Sequence, residues 1–532
     1  MVDATVSCLE RTLAREHDDE AHALALDTLR ESWPQFAITD GARVRAILDS
    51  IPSERWHDDP WLVTCYAASF RSEEVSAQTA ALPYFEAAVA LISAETPAFV
   101  RSLLYVRYAA ALRALGHLAD AREAATQATT IAESGEAIPL ARRVPLAAEI
   151  AFHRGAIALH EGDFDSARAD LRLSGSLAER NLNAGDQLEV FGCLALIQFL
   201  MGDFEQALEF VKRATATIAA VDLKNSHFNA PGLVTEMLVT LLQRGTDAAE
   251  PLFDRVLESI GESEWQPLGL YGLAFADVFA GKPHDGLERL RQAHTALDGW
   301  QEANFVASEI RAIRAAAFLQ LGDNGSAWDE LAQLPPTQHH TVCPSRLIAH
   351  LRFVTGDARG ALDVLHSCEE LGDAHSSRAL SDVFLIKAAA HWAIGNEAQS
   401  NVAFDRALRL AARNRMHSPF RLVPSEAVHA MLNRAATRPQ PLEVGAMIKR
   451  LDGVPVLLAP QSAPALSKRE RSIARELVKG HNSAQIAESL FISVNTVKSH
   501  LKSVYRKLGV STRVEAIQRS RELGLQVDIT LD

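Results

Sequence analysis

The chain has few cysteines, few aromatic residues and no long apolar run, and each shortage excludes a class of protein. The five cysteines are scattered without a C-x-x-C pair, which argues against a disulfide framework and a cysteine zinc site. No apolar run reaches about 18 residues, and no basic segment followed by an apolar one stands at the N-terminus. We therefore expect a cytoplasmic protein without membrane contact. An aromatic content of 6%, with abundant Ala and Leu, favours packed helices over β-sandwiches.

The sequence also lacks the motifs of common enzyme and nucleotide sites. It contains no G-x-x-x-x-G-K-[ST] phosphate loop, no G-x-S-x-G, no H-E-x-x-H and no glycine-rich dinucleotide turn after a strand. The most metal-like cluster is His339, His340 and Cys343, but it follows two prolines and has no fourth ligand at a useful spacing. We interpret this cluster as structural or incidental. The prediction is a protein that is not an enzyme, with no catalytic residue, no cofactor and no metal.

One short pattern recurs through most of the chain: an apolar stretch, a glycine, one or two polar residues, and a new amphipathic stretch. A helix commonly ends with a residue in the left-handed conformation, which costs glycine nothing, so each glycine predicts a turn between two helices. Neighbouring copies are 34 to 46 residues apart, a spacing typical of helical-repeat arrays. The eight glycines are Gly116, Gly162, Gly202, Gly245, Gly281, Gly322, Gly356 and Gly395.

The residues after these glycines support the same interpretation. Small residues such as Ala167 and Ala207 let two helices approach closely, and stacked hairpins bury the faces that one hairpin leaves exposed. The region 75–411 resembles tetratricopeptide-like repeats with a longer spacing, and it predicts an all-α solenoid; residues 1–74 also look helical and are expected to add one or two hairpins. The polar residues predicted to help cap the following helices are Asp163, Asp203, Asp323, Asp357 and Asn396.

Prolines separate the repeats from the C-terminal part of the chain. We predict a helical-repeat region over 1–436, a linker over 437–465 and a separate domain over 466–532, because each proline opposes the continuation of a helix. The linker prolines are Pro439, Pro441, Pro455, Pro460 and Pro464.

The C-terminal part differs from the rest of the chain in the sign of its charge. Residues 466–525 contain twelve lysines and arginines and five acids, which gives this part a net charge of +7. Because the whole chain has a net charge of −14, the remainder has a net charge of −21. Such an asymmetry points to a nucleic-acid surface on the basic part. It also predicts that DNA repels the acidic array.

The basic part divides into four short helices, and the third has two distinct faces. Ser467 forms a capping-box pattern with Glu470 at the start of the first helix. The predicted starts of the four helices are Ser467, Asn482 or Ser483, Ser493 and Ser511. In the third helix an apolar side is formed by Val497, Leu501, Val504 and Leu508. The opposite side carries Asn495, Lys498, Ser499, Lys502 and Arg506. This arrangement indicates a helix-turn-helix whose third helix enters a major groove.

Residues 466–517 resemble the DNA-binding domain of the LuxR family of bacterial transcription regulators. One departure is Ala484 and Gln485, where the family usually has a basic residue before "IA", so the resemblance does not carry the phosphate contact of that residue over to this chain. The matching letters are "LSKRE" at 466–470, Gly480, "IAESL" at 486–490, "IS" at 492–493, "TVKSH" at 496–500, "KLGV" at 507–510, Arg513 and "EAI" at 515–517.

The resemblance implies a role for each residue of the third helix. Lys498, Ser499 and Lys502 correspond to base-reading positions, whereas a lysine on phosphate gives affinity without sequence preference. In the family the fourth helix pairs two domains on an inverted repeat, so a homodimer is implied, with Val514 and Ile517 as dimer or core contacts. The residues expected to contact or steer the DNA backbone are Thr496, His500, Arg506 and Lys507. A solvated basic face without DNA contact is the alternative.

The whole arrangement resembles the large maltose-activator-like regulators without their nucleotide-binding module. It implies a sequence-specific regulator that binds double-stranded DNA, with RNA polymerase as a further partner to consider. The solenoid would sense a small-molecule or protein effector and bias the pairing of the DNA-binding domains. The alternative from another class is a helical-repeat scaffold that assembles protein partners, with DNA binding secondary; a hydrolase within the solenoid is a more distant third.

Overall fold

The computed structural model is built from α-helices. It describes residues 2–15, 19–35, 40–71, 78–218, 226–300, 304–335, 341–370, 375–416, 419–420, 423–451 and 466–522, and these residues contain no β-strand. The all-α prediction is confirmed.

Twenty-three helices of at least eight residues precede residue 452 and form a helical-repeat array. They are α1 (Val2–Arg15), α2 (Asp19–Ser32), α3 (Gly41–Asp49), α4 (Pro60–Ala68), α5 (Leu82–Leu91), α6 (Ala98–Ala114), α7 (Leu118–Glu133), α8 (Leu140–Glu161), α9 (Phe164–Asn181), α10 (Ala184–Met201), α11 (Phe204–Ile218), α12 (Ala230–Arg244), α13 (Phe253–Ile260), α14 (Gln266–Phe279), α15 (Pro283–Thr295), α16 (Phe305–Leu321), α17 (Asn324–Leu331), α18 (Pro344–Val354), α19 (Ala358–Glu370), α20 (Ser377–Ala393), α21 (Glu397–Asn414), α22 (Ser425–Ala436) and α23 (Leu442–Leu451) among the described residues.

The predicted turns and caps are present. All eight repeat glycines have a positive φ, between 77° and 88°, and helices on either side of them pack as hairpins such as α8 with α9. The five polar residues that follow the turns accept a hydrogen bond from a backbone N–H three residues later, at 3.0 to 3.4 Å. Local chemistry therefore sets the period of the array.

The four larger apolar clusters follow one another along the array, as expected when each hairpin buries its face against its neighbours. The first is centred on α1–α6 and contains Trp33, Trp56 and Trp61. The largest extends from α8 to α16, and two more cover α16–α20 and α20–α23. The described residues before residue 72 join the array through this first cluster, and α2 and α3 coincide with the two stretches predicted to be helical.

The array also closes on itself, which the sequence did not predict. Ser376 Oγ donates to the carbonyl of Leu200 at 2.7 Å, across 176 residues. At Gly202 the turn approaches the start of α20 so closely that a Cβ would lie 2.5 Å from the backbone nitrogen of Arg378. The open concave surface expected of a solenoid is therefore partly filled by contacts between distant repeats.

A buried ring of four charged side chains makes another long-range connection. Arg71 lies 2.9 Å from Glu189 and 3.0 Å from Glu264, and Arg113 lies 3.0 Å from each of the same carboxylates. The four side chains are at most 6% exposed. Burial alone would raise the pKa of Glu264, but Arg113, Arg71 and the imidazole of His160, 3.4 Å away, hold it well below its ordinary range.

Helix α10 is long and apolar enough to cross a membrane by length and composition, alone among the helices of the described residues. It is 83% buried inside the structure over its apolar window, and it carries Asp186 and Glu189 on buried faces. Its composition therefore fits the central helix of the largest apolar cluster.

The predicted linker begins with a helix. Pro439 and Pro441 precede α23 and so do not interrupt it, since a proline before or at the first turn leaves the helical hydrogen bonds intact. Val444 and Met447 of α23 are buried in the last apolar cluster of the array. The remaining linker residues, 452–465, lie outside the described residues.

Candidate nucleic-acid interface

Four short helices follow the linker and share one apolar core. They are α24 (Lys468–Val478), α25 (Ser483–Ser489), α26 (Val494–Leu508) and α27 (Arg513–Glu522). Ile473, Leu477 and Ile486 meet the apolar side of α26 in this core, together with Ala516 of α27. The third helix is thus held by α24 and α25 in a helix-turn-helix arrangement.

The caps of these helices follow the sequence prediction with one correction. Ser467 and Glu470 form the predicted capping box, Asn482 rather than Ser483 caps α25, and Ser493 caps α26. The fourth helix begins later than predicted. Its cap is Thr512 rather than Ser511, because Thr512 Oγ1 accepts from the N–H of Glu515 at 3.1 Å. The Glu515 carboxylate in turn accepts from the backbone N–H groups of Ser511 and Thr512.

Helix α26 separates its apolar and polar residues as its spacing predicts. Val497, Leu501, Val504 and Leu508 are buried. The polar residues on the opposite side recur at intervals of three, four or seven residues, and this spacing places them on one face of a helix. The predicted contact residues that are exposed there are Asn495, Thr496, Lys498, Ser499, Lys502 and Arg506.

His500 and Lys507 lie at the edge of this face and are half-buried. Lys507 has a defined intramolecular contact, because its Nζ donates to Glu470 at 2.7 Å. The same carboxylate accepts from Ser503 Oγ and from the backbone N–H of Ser467, both at 2.7 Å. Lys507 therefore joins α26 to α24, a structural role that the sequence interpretation did not assign.

The contacts around Glu470 make the stability of the helix-turn-helix depend on pH. Although burial opposes it, hydrogen bonds from Lys507, Ser503 and Ser467 lower the pKa of Glu470 to about 2, against about 4.3 for an unfolded Glu. A lowered pKa stabilises the fold above about pH 4.3, and this stabilisation is lost as the pH falls through about 2.

Glu470→Gln should destabilise residues 466–522 by about 1–3 kcal/mol at neutral pH, because three charge-assisted hydrogen bonds are weakened. The difference from wild type should shrink as the pH falls from about 4 to about 2. Hydrogen exchange of α24 and α26 measures both effects. Glu488→Gln, at an exposed position in α25, is the matched control. An equal loss in both variants would contradict the assignment.

Two arginines bond to the backbone at the two ends of α25, a structural role that the sequence interpretation did not assign to them. Arg469 donates to the carbonyl of Leu490 at 2.8 Å, and Arg513 donates to the carbonyl of His481 at 2.5 Å. Between α25 and α26, Phe491 has φ 54° and is 96% exposed. Both arginines belong to the letters that match the family, which was the one signal available for them.

Gln485 stands where the resembled family has a basic residue, and its side chain has another contact. Its Oε1 accepts from the backbone N–H of Asn482 at 2.9 Å, completing a capping box. Gln485 therefore helps to cap α25, and it contributes no positive charge at this position.

Comparison with known proteins gives one family match, confined to this region. The model of the bacterial regulatory proteins of the luxR family matches residues 464–520. The spore germination protein GerE of Bacillus subtilis (strain 168) is 41% identical over 64 residues, which is 12% of this chain and 86% of GerE.

Longer similarities are weaker. The HTH-type transcriptional regulator MalT of Klebsiella pneumoniae (strain 342) is 25% identical over 242 residues, which is 40% of this chain and 26% of MalT. The match thus spans about a quarter of the length of that regulator. Among solved structures, the apo form of the quorum sensor NprR from B. thuringiensis aligns with 72% of this chain and 98% of its own, at 14% identity and a TM-score of 0.37.

Proposed function

Since the chain belongs to the luxR family of bacterial regulatory proteins, we propose that it is a sequence-specific DNA-binding transcription regulator whose helical-repeat region controls the pairing of its DNA-binding domains. The observation that carries the proposal is the exposed polar face of α26, with Lys498 and Lys502 one turn apart and a buried apolar face opposite. A helix anchored in this way can enter a major groove with its polar face toward the base edges.

The side chains on this face suit different parts of a duplex. Lys498 and Lys502 can each donate to the O6 and N7 acceptors of guanine. Ser499 lies between them, and its hydroxyl can bond to a donor or an acceptor on a base edge. Arg506, two turns after Lys498, suits a phosphate contact that adds affinity without sequence preference. Lys507 is bound to Glu470 and contributes mainly through the position of α26.

Helix α27 supports control of pairing by the helical repeats. Val514 on this helix is 76% exposed, whereas Ile517 packs against the core of the helix-turn-helix. The same helix also contacts α17 of the array. In our proposal, contact with α17 and pairing with a second DNA-binding domain compete for α27, so an effector that alters the array changes the population of paired domains.

A cavity of about 140 Å³ in the array is our proposed effector site. Its walls are mostly apolar, with Phe275, Phe279 and Ile313 among them. Arg378 and Glu309 line the cavity as an ion pair, with Arg378 Nη2 3.5 Å from Glu309 Oε1. Engineered cavities of similar volume hold a small aromatic molecule, so a compact, largely apolar effector with a polar group fits this site.

Selection of genomic duplexes by the purified full chain at moderate salt tests the proposal. We expect enrichment of one sequence over random duplex, arranged as two inverted half-sites if the domains pair through α27. Enrichment of a single half-site would refute pairing and retain DNA recognition. Equal retention of all duplexes would refute the proposed function.

A further inference from the structure

Three buried side chains with metal-binding atoms meet in the array, outside the helix-turn-helix. Cys343, Cys368 and His375 are 0%, 0% and 3% exposed, and one ligand atom from each lies within 4.8 Å of the other two. Cys343 precedes α18, Cys368 lies in the last turn of α19, and His375 stands just before α20. The fold thus brings together residues that no local motif connects.

This arrangement differs from the cluster considered in the sequence. His339 and His340 lie outside the described residues. Cys343 instead has Cys368 as its neighbour, with the two Sγ atoms 3.4 Å apart. A tetrahedral zinc ion with Zn–S bonds of about 2.3 Å separates its sulfurs by about 3.8 Å, so the two sulfur atoms need to move apart by only a few tenths of an ångström. A disulfide bond of about 2.05 Å requires a larger approach.

Neighbouring contacts orient two of the three groups. Cys343 caps α18, and its Sγ accepts from the N–H of Arg346 at 3.2 Å, which fixes the direction of the side chain. His375 Nδ1 lies 3.2 Å from the carbonyl oxygen of Ser376, which can only accept, so Nδ1 carries the proton and the lone pair resides on Nε2. Metal-binding histidines characteristically have this second hydrogen bond.

We propose that Cys343, Cys368 and His375 form a binding site for one Zn²⁺ ion. Two thiolates neutralise the double positive charge, so a buried complex carries no net charge. The imidazole is the third ligand, and water or another small ligand completes the shell. Binding releases the two thiol protons to solvent.

A metal at this place would connect three consecutive elements of the array beside the proposed effector cavity. Ser376, next to His375, is fixed to the carbonyl of Leu200 on α10. Thr341 and Val342, next to Cys343, line the cavity, as does Ala379 of α20. The zinc site rests on the cysteines and histidine alone and does not depend on the proposed DNA-binding function.

Titration of the reduced full chain with Co²⁺, followed by Zn²⁺, tests the site. We expect one equivalent of Co²⁺ to give a thiolate-to-cobalt charge-transfer band and the visible bands of four-coordinate cobalt, and we expect Zn²⁺ to remove both. The thermal unfolding midpoint should rise with Zn²⁺, because the ion binds the folded chain more tightly than the unfolded one. Absence of the charge-transfer band at saturating Co²⁺ would overturn the proposal.

Variants identify the ligands. Cys343→Ser retains a residue suited to capping α18, and His375→Gln is a second variant with an intact thiol pair. Each should weaken Co²⁺ binding by more than the roughly 10–100-fold that loss of a second-shell partner costs. Cys65→Ala removes another buried thiol and should bind as wild type. Unchanged Co²⁺ affinity in both ligand variants would refute the site. It would also be refuted if the purified chain contained a Cys343–Cys368 disulfide and bound no Co²⁺ once that disulfide had been reduced.

Discussion

Replacing Lys498 and Lys502 together by alanine should weaken binding to the selected duplex by about 30-fold to about 10⁴-fold. Each good contact between a side chain and a base edge is worth roughly 1–3 kcal/mol, and about 1.4 kcal/mol corresponds to a tenfold change in affinity. Both lysines are exposed on the polar face of α26, opposite the buried Val497 and Leu501, so their removal should leave the fold intact. Fluorescence anisotropy with the selected duplex and with a scrambled one measures the change.

The scrambled duplex separates base recognition from general attraction. If the two lysines contact bases, affinity for the selected duplex falls much more than affinity for the scrambled one. If they contact only phosphates, both affinities fall together and the dependence on salt becomes weaker. The matched control is Lys212→Ala with Lys282→Ala, which removes two exposed charges from the array. An equal loss of specificity in this control would contradict our assignment of the interface to α26.

The sequence predicted those features that depend on neighbouring residues. Glycine at 162 and aspartate at 163 determine a turn and a cap within a few bonds, and the structure has both. The two faces of α26 follow from its spacing alone. The resemblance to the family added the order of the four helices, which composition and period could not supply.

Contacts between distant residues could not be predicted in the same way. Lys507 lies 37 residues from Glu470, so an outward contact with phosphate and an inward ion pair were equally compatible with its position. Cys368 and His375 join Cys343 only because α18, α19 and α20 pack together. The closure of the array has the same origin, since a periodic pattern specifies each hairpin and its neighbour but leaves the curvature of the whole undetermined.

The buried charged ring determines part of that curvature. Arg71 follows α4, Arg113 is on α6, Glu189 is on α10 and Glu264 precedes α14, so four separate hairpins meet at one point. Burying ions is costly, and a ring of two cations and two anions offsets that cost only while all four are present. Its net contribution to stability can be small even though the loss of one member is expensive, because the remaining charges cannot reach water.

Glu189→Gln should therefore destabilise the central part of the array by about 3–5 kcal/mol, the cost of leaving a buried charge without its partner. Glutamine has nearly the same volume, so the loss reports charge rather than a cavity. A long repeat array need not unfold in one step, and hydrogen exchange of α6, α10 and α14 is the appropriate measurement. Glu209→Gln removes an exposed carboxylate 3.3 Å from Lys212 and should cost about 0–1 kcal/mol. If both substitutions had the same small effect, the ring would not hold the distant hairpins together, and the closed form of the array would depend on other contacts, such as the hydrogen bond from Ser376 to Leu200.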